Sequence, residues 1–342
     1  MSKAAQTLLE EIHSESLQVL LASLRPHSGL SEVAHADTIS TSSSAVDTSP
    51  SSTFRLGNVV EIQGPSASGK SHLVYHLVSH CIIPPEYEDC ALGGWGKAAM
   101  VFDSDNTFSI ARVKQILLKR LESRFATQPH LWTAEWRSDI VEKCLDHLHI
   151  FKPSSSIQLA ATLRNLPAYH TDNLPHTDIG VLAVDSINAF YWMDRFIVEH
   201  PSSSGKASKA TVNPFQHVIS SLRALHAAYR PLILLTSWLI GPNQSSSNCT
   251  SDRQHPSIYA DPRHQLRSTT PMPSGTITHR VTMSVIPAPQ PLTSADPKWP
   301  SPQFACSIQK PGHDSVGRFM LQINDGVDCR LPEGQKFLVS VC

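Results

Sequence analysis

The chain has 342 residues, 40% of them hydrophobic, enough for a substantial core in one large domain or two modest ones. Its 28 basic and 29 acidic side chains leave a formal net charge of −1, so no global field draws it to DNA or to a membrane surface. No apolar run of about 18 residues exists to span a bilayer, the first residues lack the apolar centre of a signal peptide, and the seven cysteines, odd in number and without a C-x-x-C pair, read as reduced intracellular thiols.

Residues 5–24 form the first predicted helix, with Leu8, Leu9, Ile12, Leu17, Leu20 and Leu21 on one stripe at helical spacing. A Ser/Thr-rich stretch runs to Thr53 as a linker, so residues 1–53 make an N-terminal section and the compact core begins near Phe54. Short apolar runs then alternate with helical ones. Strands are predicted at Val59–Gln63, Ala99–Asp103, Leu148–Phe151, Val181–Asp185 and Leu232–Thr236. Helices are predicted at 70–82, 108–126, 137–146, 155–166, 187–198 and 214–229, the last with Pro214 in its first turn, where a missing N–H costs nothing. This alternation predicts an α/β fold with a mostly parallel sheet flanked by helices. A Pro/Gly-rich loop at 84–97 and polar, low-complexity insertions at 200–213 and 241–303 interrupt it. Within the larger insertion His279–Ile286 is a candidate strand, whereas 241–275 and 287–303 hold too little apolar surface to order themselves. Phe304–Gln309, Arg318–Ile323 and Lys336–Val341 predict a closing antiparallel section.

The most informative segment is Gly64–Pro65–Ser66–Ala67–Ser68–Gly69–Lys70–Ser71, which matches G-x-x-x-x-G-K-[ST] between a predicted strand and a predicted helix. Gly64 and Gly69 permit the tight turn that aims successive backbone N–H groups at phosphate oxygens. Lys70 adds charge toward the β- and γ-phosphates, Ser71 offers a hydroxyl to Mg²⁺, and the following helix points its N-terminus at the anion. ATP and Mg²⁺ are therefore the expected ligands. Asp185 ends an apolar strand in the Walker B manner and would hold Mg²⁺ through water together with Ser71; the alternative role is a cap for the following helix. Asp105 leaves the carboxyl end of the 99–103 strand, where it serves either as the base that polarises an attacking water or as a helix cap. His72, His76 and His80 share a helical face beside Cys81, but no paired cysteines complete a zinc site.

The phosphate loop, the segment Val101–Phe108 and the strand end Val181–Ser186, in that order, resemble the ATPase core of the RecA-like recombinases. Tyr75–His76–Leu77, Cys81–Ile82–Ile83–Pro84, Asp185–Arg195 with its Phe190–Tyr191–Trp192 run, and Asn324–Cys329 narrow the likeness to the eukaryotic recombinase paralogues. The likeness covers about 54–240 well, the C-terminal strands loosely and the Pro/Ser region not at all. It implies a RecA-type P-loop core in a homologous-recombination protein of the nucleus. Such a protein joins other recombinase paralogues in a hetero-oligomer, here through the N-terminal helix and linker, and that complex helps load the main recombinase on single-stranded or branched DNA.

The departures from the recombinase pattern set the expected activity. Asp105 stands where an active recombinase carries Glu, one methylene longer, and a base displaced by about an ångström loses on the order of a hundredfold in rate. Thr236–Ser237–Trp238 stands where the recombinases carry Thr-Asn-Gln, and an indole cannot make the hydrogen bonds of that Gln. Phe108–Ser109–Ile110–Ala111, the match to the filament plug Phe-x-x-Ala, lies inside a predicted core helix, which argues against self-assembled filaments. The reading is ATP binding with weak or no hydrolysis. The alternatives are an active DNA-stimulated ATPase and an unrelated P-loop small-molecule kinase, which would need an Arg-rich substrate lid.

Overall fold

The computed structural model describes residues 54–88, 90–125, 132–199, 213–238, 277–286, 301–311 and 316–330. The predicted helix at 5–24, the linker, most of the two polar insertions and the predicted strand at 336–341 lie outside the described residues.

The strands are β1 (Val59–Gly64), β2 (Glu86–Tyr87), β3 (Cys90–Ala91), β4 (Ala98–Asp103), β5 (Leu148–Phe151), β6 (Ile179–Asp185), β7 (Leu232–Trp238), β8 (His279–Ile286), β9 (Gln303–Gln309), β10 (Val316–Ile323) and β11 (Val327–Arg330). The helices are α1 (Lys70–Ile82), α2 (Ile110–Arg124), α3 (Ala134–Leu145), α4 (Ser156–Asn173), α5 (Tyr191–Glu199) and α6 (Pro214–Tyr229). Among the described residues one nine-stranded sheet forms in the order β11-β10-β9-β8-β1-β7-β6-β4-β5. Strands β8, β1, β7, β6, β4 and β5 run parallel, and β9, β10 and β11 continue the sheet antiparallel from β8. The α/β class, the parallel centre and the antiparallel C-terminal section are those expected from sequence.

Strand periodicity assigns the core to two layers. Val60, Ile62, Val101, Val181, Ala183 and Leu234 face one side of the sheet and pack with α1, α2 and α3. Val59, Met100, Phe102, Leu182, Val184 and Ile233 face the other, toward α4 and α6. Both faces are covered, so the central strands read as unbroken apolar runs. Phe54, fully buried and edge-on to His279, marks the start of the core.

Several boundaries differ from expectation for identifiable reasons. Helix α4 continues to Asn173 past Pro167, where the sequence pattern placed its end at 166. An internal Pro costs about 3 kcal/mol. Burial of Leu159, Leu163 and Leu166, each contributing about 1.5–3 kcal/mol, offsets that cost. Helix α5 begins at Tyr191 and not at 187, because 186–190 are turns closed by Ala189 N–H to Ser186 O and Tyr191 N–H to Asn188 O. Asp194 is buried and accepts from the Ser156 hydroxyl at 2.5 Å, while Trp192, Met193 and Phe196 face solvent. Phe190 and Tyr191 are half-buried, while Trp192 is exposed. The 84–97 loop contains the short hairpin β2–β3, and the candidate strand at 279–286 is β8, seated directly beside β1.

Candidate nucleotide-binding site

The carboxyl ends of β1, β7, β6 and β4 lie side by side, and the side chains expected at the phosphate site converge there. The loop from Gly64 to Ser71 joins β1 to α1. Gly69 occupies the N-cap at φ 85°, a left-handed conformation that favours glycine. A Cβ at Gly69 would meet the Phe304 ring at 3.1 Å, and one at Gly64 would meet Ser68 Oγ at 2.4 Å and the Met283 carbonyl at 2.7 Å. Both glycines are thus fixed by close approach, and the contacts show that β8 and β9 brace the loop from behind. Ala67 also sits in the left-handed region, at φ 58°. Lys70 Nζ donates to Gly64 O at 3.0 Å and Pro65 O at 2.7 Å, lying across the loop. Burial lowers its pKa, and the carboxylates of Asp185 and Asp105 oppose that shift.

Asp185 ends β6 in the interior. Its Oδ1 accepts from the Thr236 hydroxyl of β7 at 2.5 Å, and the nearby Ser71 hydroxyl favours its charged form. Its Oδ2 is buried without a partner. Burial raises its pKa, offset by the Thr236 and Ser71 hydroxyls. Directly across the β4–β6 register is Asp103, fully buried, a residue the sequence reading passed over. Its Oδ1 accepts from Thr107 N at 3.0 Å and Phe108 N at 3.3 Å, while Oδ2 has no hydrogen-bond partner and Lys152 Nζ stands 3.9 Å away. Burial raises the Asp103 pKa as well. The available signal was positional: Asp103 ends its strand as Asp185 ends β6.

The loop after β4 carries Asp105. Its Oδ1 accepts from Thr107 N at 3.2 Å and from the Thr107 hydroxyl at 2.7 Å, so the carboxylate folds back on its own loop as a local cap. Tyr75 of α1 secures the same loop, accepting from Ser109 N at 2.9 Å and donating to Thr107 O at 3.5 Å. Phe108 is buried, whereas Ser109, the N-cap of α2, and Ile110 and Ala111 are exposed, so only the first residue of the Phe-x-x-Ala match enters the core. Trp238, the last residue of β7, pairs in register with Gly64 and is 43% exposed at the rim of the loop.

The donor set fits a magnesium nucleotide. Two carboxylates with unpartnered buried oxygens, a serine hydroxyl and a lysine are hard oxygen ligands and a counter-charge, the kind of site that binds Mg²⁺ with phosphates and waters. Among the described residues no group of three His, Cys, Asp or Glu is placed to hold a metal by itself. The Arg120 guanidinium donates to His80 Nδ1 at 2.6 Å.

Two curated proteins share this sequence pattern. The chain is 28% identical over 201 residues to the mouse DNA repair protein XRCC2, a match covering 58% of this chain and 63% of that protein. It is 24% identical over 215 residues to the XRCC2 homolog of Arabidopsis thaliana, covering 57% and 58% respectively. The likeness to RecA-type recombinase paralogues read from the motifs is thus also a likeness to two DNA repair proteins, of which the match spans less than two thirds. No protein-family model matches the chain. No helix among the described residues is long and apolar enough to cross a membrane.

Proposed function

We propose that this protein is a nucleotide-binding, XRCC2-like subunit of a recombinase-paralogue complex that acts in homologous recombination in the nucleus. The observation that carries the reading is the phosphate loop set against Asp185 and Ser71 in a chain similar to two DNA repair proteins. In this reading the Gly64–Ser71 backbone and Lys70 bind the phosphates, and Ser71 with Asp185 holds Mg²⁺ through water. The metal, when bound, screens phosphate charge. Thr236 keeps the Asp185 carboxylate oriented by donating to it. Hydrolysis is weak or absent because Asp105 is committed to Thr107.

The complex assists recombinase loading on single-stranded or branched DNA, and residues 1–53 supply the surface for the neighbouring paralogue. The test is reconstitution with purified recombinase paralogues, followed by size-exclusion chromatography with and without MgATP. The full chain should enter a hetero-oligomer and a chain lacking residues 1–53 should not. A full chain that elutes alone with every paralogue would overturn the reading.

A further inference from the structure

Among the described residues, half of the large apolar side chains left exposed belong to the nine-residue helix α5. Trp192 is 50% exposed, Met193 60% and Phe196 59%, with Ile197 exposed as well. At about 100° per residue these four share one side of the helix, and Asp194 stands on the other. The orientation is fixed from the buried side, where Asp194 accepts from the Ser156 hydroxyl of α4 at 2.5 Å. A contiguous apolar stripe held outward in this way marks a surface that another element covers.

The sequence outside the described residues holds one segment of matching character. Residues 5–24 carry Leu8, Leu9, Ile12, Leu17, Leu20 and Leu21 on a stripe at helical spacing. By contrast, the insertion that follows α5 at 200–213 offers only Val212 as a branched apolar side chain. That at 241–275 scatters Ile258, Tyr259, Leu266 and Met272 among serines, prolines and charged residues. The reach is also right. The core starts at Phe54, ahead of β1, and β6 lies two positions along the sheet from β1. One six-residue strand and two strand spacings place the carboxyl end of β6, before α5, about 22 Å from the start of β1. A Ser/Thr-rich linker over 25–53 spans about 30 Å by root-mean-square, which delivers the segment at an effective concentration on the order of millimolar.

We propose that residues 5–24 dock as a helix on the Trp192–Ile197 face of α5 in the free subunit. The paralogue surface proposed above uses the same segment, so docking on α5 and entry into the complex compete. That consequence rests on the paralogue reading; the docking itself does not.

Hydrogen exchange and photo-crosslinking of the full chain, dilute enough to be monomeric, test the docking. A lone helix of this length is marginal in water, so protection of 5–24 reports its contact with the core. Its amides should exchange about tenfold or more slower than those of 25–53. Met193→Glu, at an exposed position, should return 5–24 to the linker rate and leave α1 unchanged. A benzophenone side chain in place of Met193 should crosslink to 5–24 of the same molecule. Exchange of 5–24 at the linker rate in the parent, or protection that survives Met193→Glu, overturns the docking. Crosslinks to another segment or to a second copy overturn it as well. In reconstitution with the paralogues, Met193→Glu should raise entry into the hetero-oligomer by about twofold or more. Unchanged or reduced entry overturns the competition alone, and a parent that joins no paralogue overturns the complex reading instead.

Discussion

Replacing Asp103 by Ala tests whether this buried carboxylate is the fastener of the loop that carries Asp105. The substitution removes the acceptor of Phe108 N, a buried bond of 3.3 Å, and leaves that N–H without its partner at a cost of about 1–3 kcal/mol. Thr107 N loses its 3.0 Å bond but keeps Asp105 Oδ1 at 3.2 Å, so its share is smaller. Loss of a desolvated carboxylate whose Oδ2 is unpartnered returns part of the cost. The net expectation is a loss of about 1–2 kcal/mol. Asp103→Asn keeps the acceptor and removes the charge, so it should stay within about 1 kcal/mol of the parent. The pH dependence separates the two contributions. Because burial raises the folded pKa of Asp103, the folded state holds its proton above the pH at which the unfolded chain releases it. Its contribution is therefore full below the unfolded pKa and is lost as pH rises through the folded value, a slope that Asp103→Asn should reduce. Urea denaturation across pH 4–8 (roughly the span in which a raised carboxylate titrates) reads all three quantities. Equal destabilisation in Ala and Asn, or no loss in Ala, would refute the fastening role.

Other outcomes follow from the same geometry. Gly69→Ala places a Cβ 3.1 Å from the Phe304 ring at φ 85°; denaturation should show a loss of about 1–2 kcal/mol from the left-handed conformation alone, together with weakened nucleotide binding in titration. His80 is buried and His76 half-buried, and their pKa values are lowered to about 3, chiefly by desolvation and then by Arg120. Their depressed values give stability that is present above the unfolded His pKa and falls as pH drops from about 6.5 toward about 3. The acid limb should therefore flatten by about one proton in His80→Gln, read from denaturation midpoints against pH. Arg112 of α2 donates to the carbonyls of Asn324, Asp325 and Gly326 at the β10–β11 turn. Arg112→Ala should cost about 2 kcal/mol and speed hydrogen exchange in β11.

The parallel core was legible in the sequence because strands buried on both faces leave unbroken apolar runs, and the phosphate loop because its glycines are required by close contacts. Helix α4 was cut short at Pro167 because local breaking chemistry carries no record of the core that overrides it. Asp194 takes the inward position on α5 through Ser156, a partner 38 positions earlier in the chain, which local sequence does not record. At the site, Lys70, Ser71 and Asp185 were found by spacing. Asp103 was not, since a carboxylate buried under its own loop leaves no pattern distinct from an ordinary strand end. Asp105 was equally readable as base or cap, and its two bonds to Thr107 are those of a local cap.

The central claim is that a bound nucleotide here does not drive a motor. ATP turnover of the full chain, with and without single-stranded DNA and alongside Lys70→Ala, measures this most directly. The account predicts Lys70-dependent nucleotide binding with no DNA-stimulated turnover. DNA-stimulated hydrolysis that disappears in Lys70→Ala would contradict it.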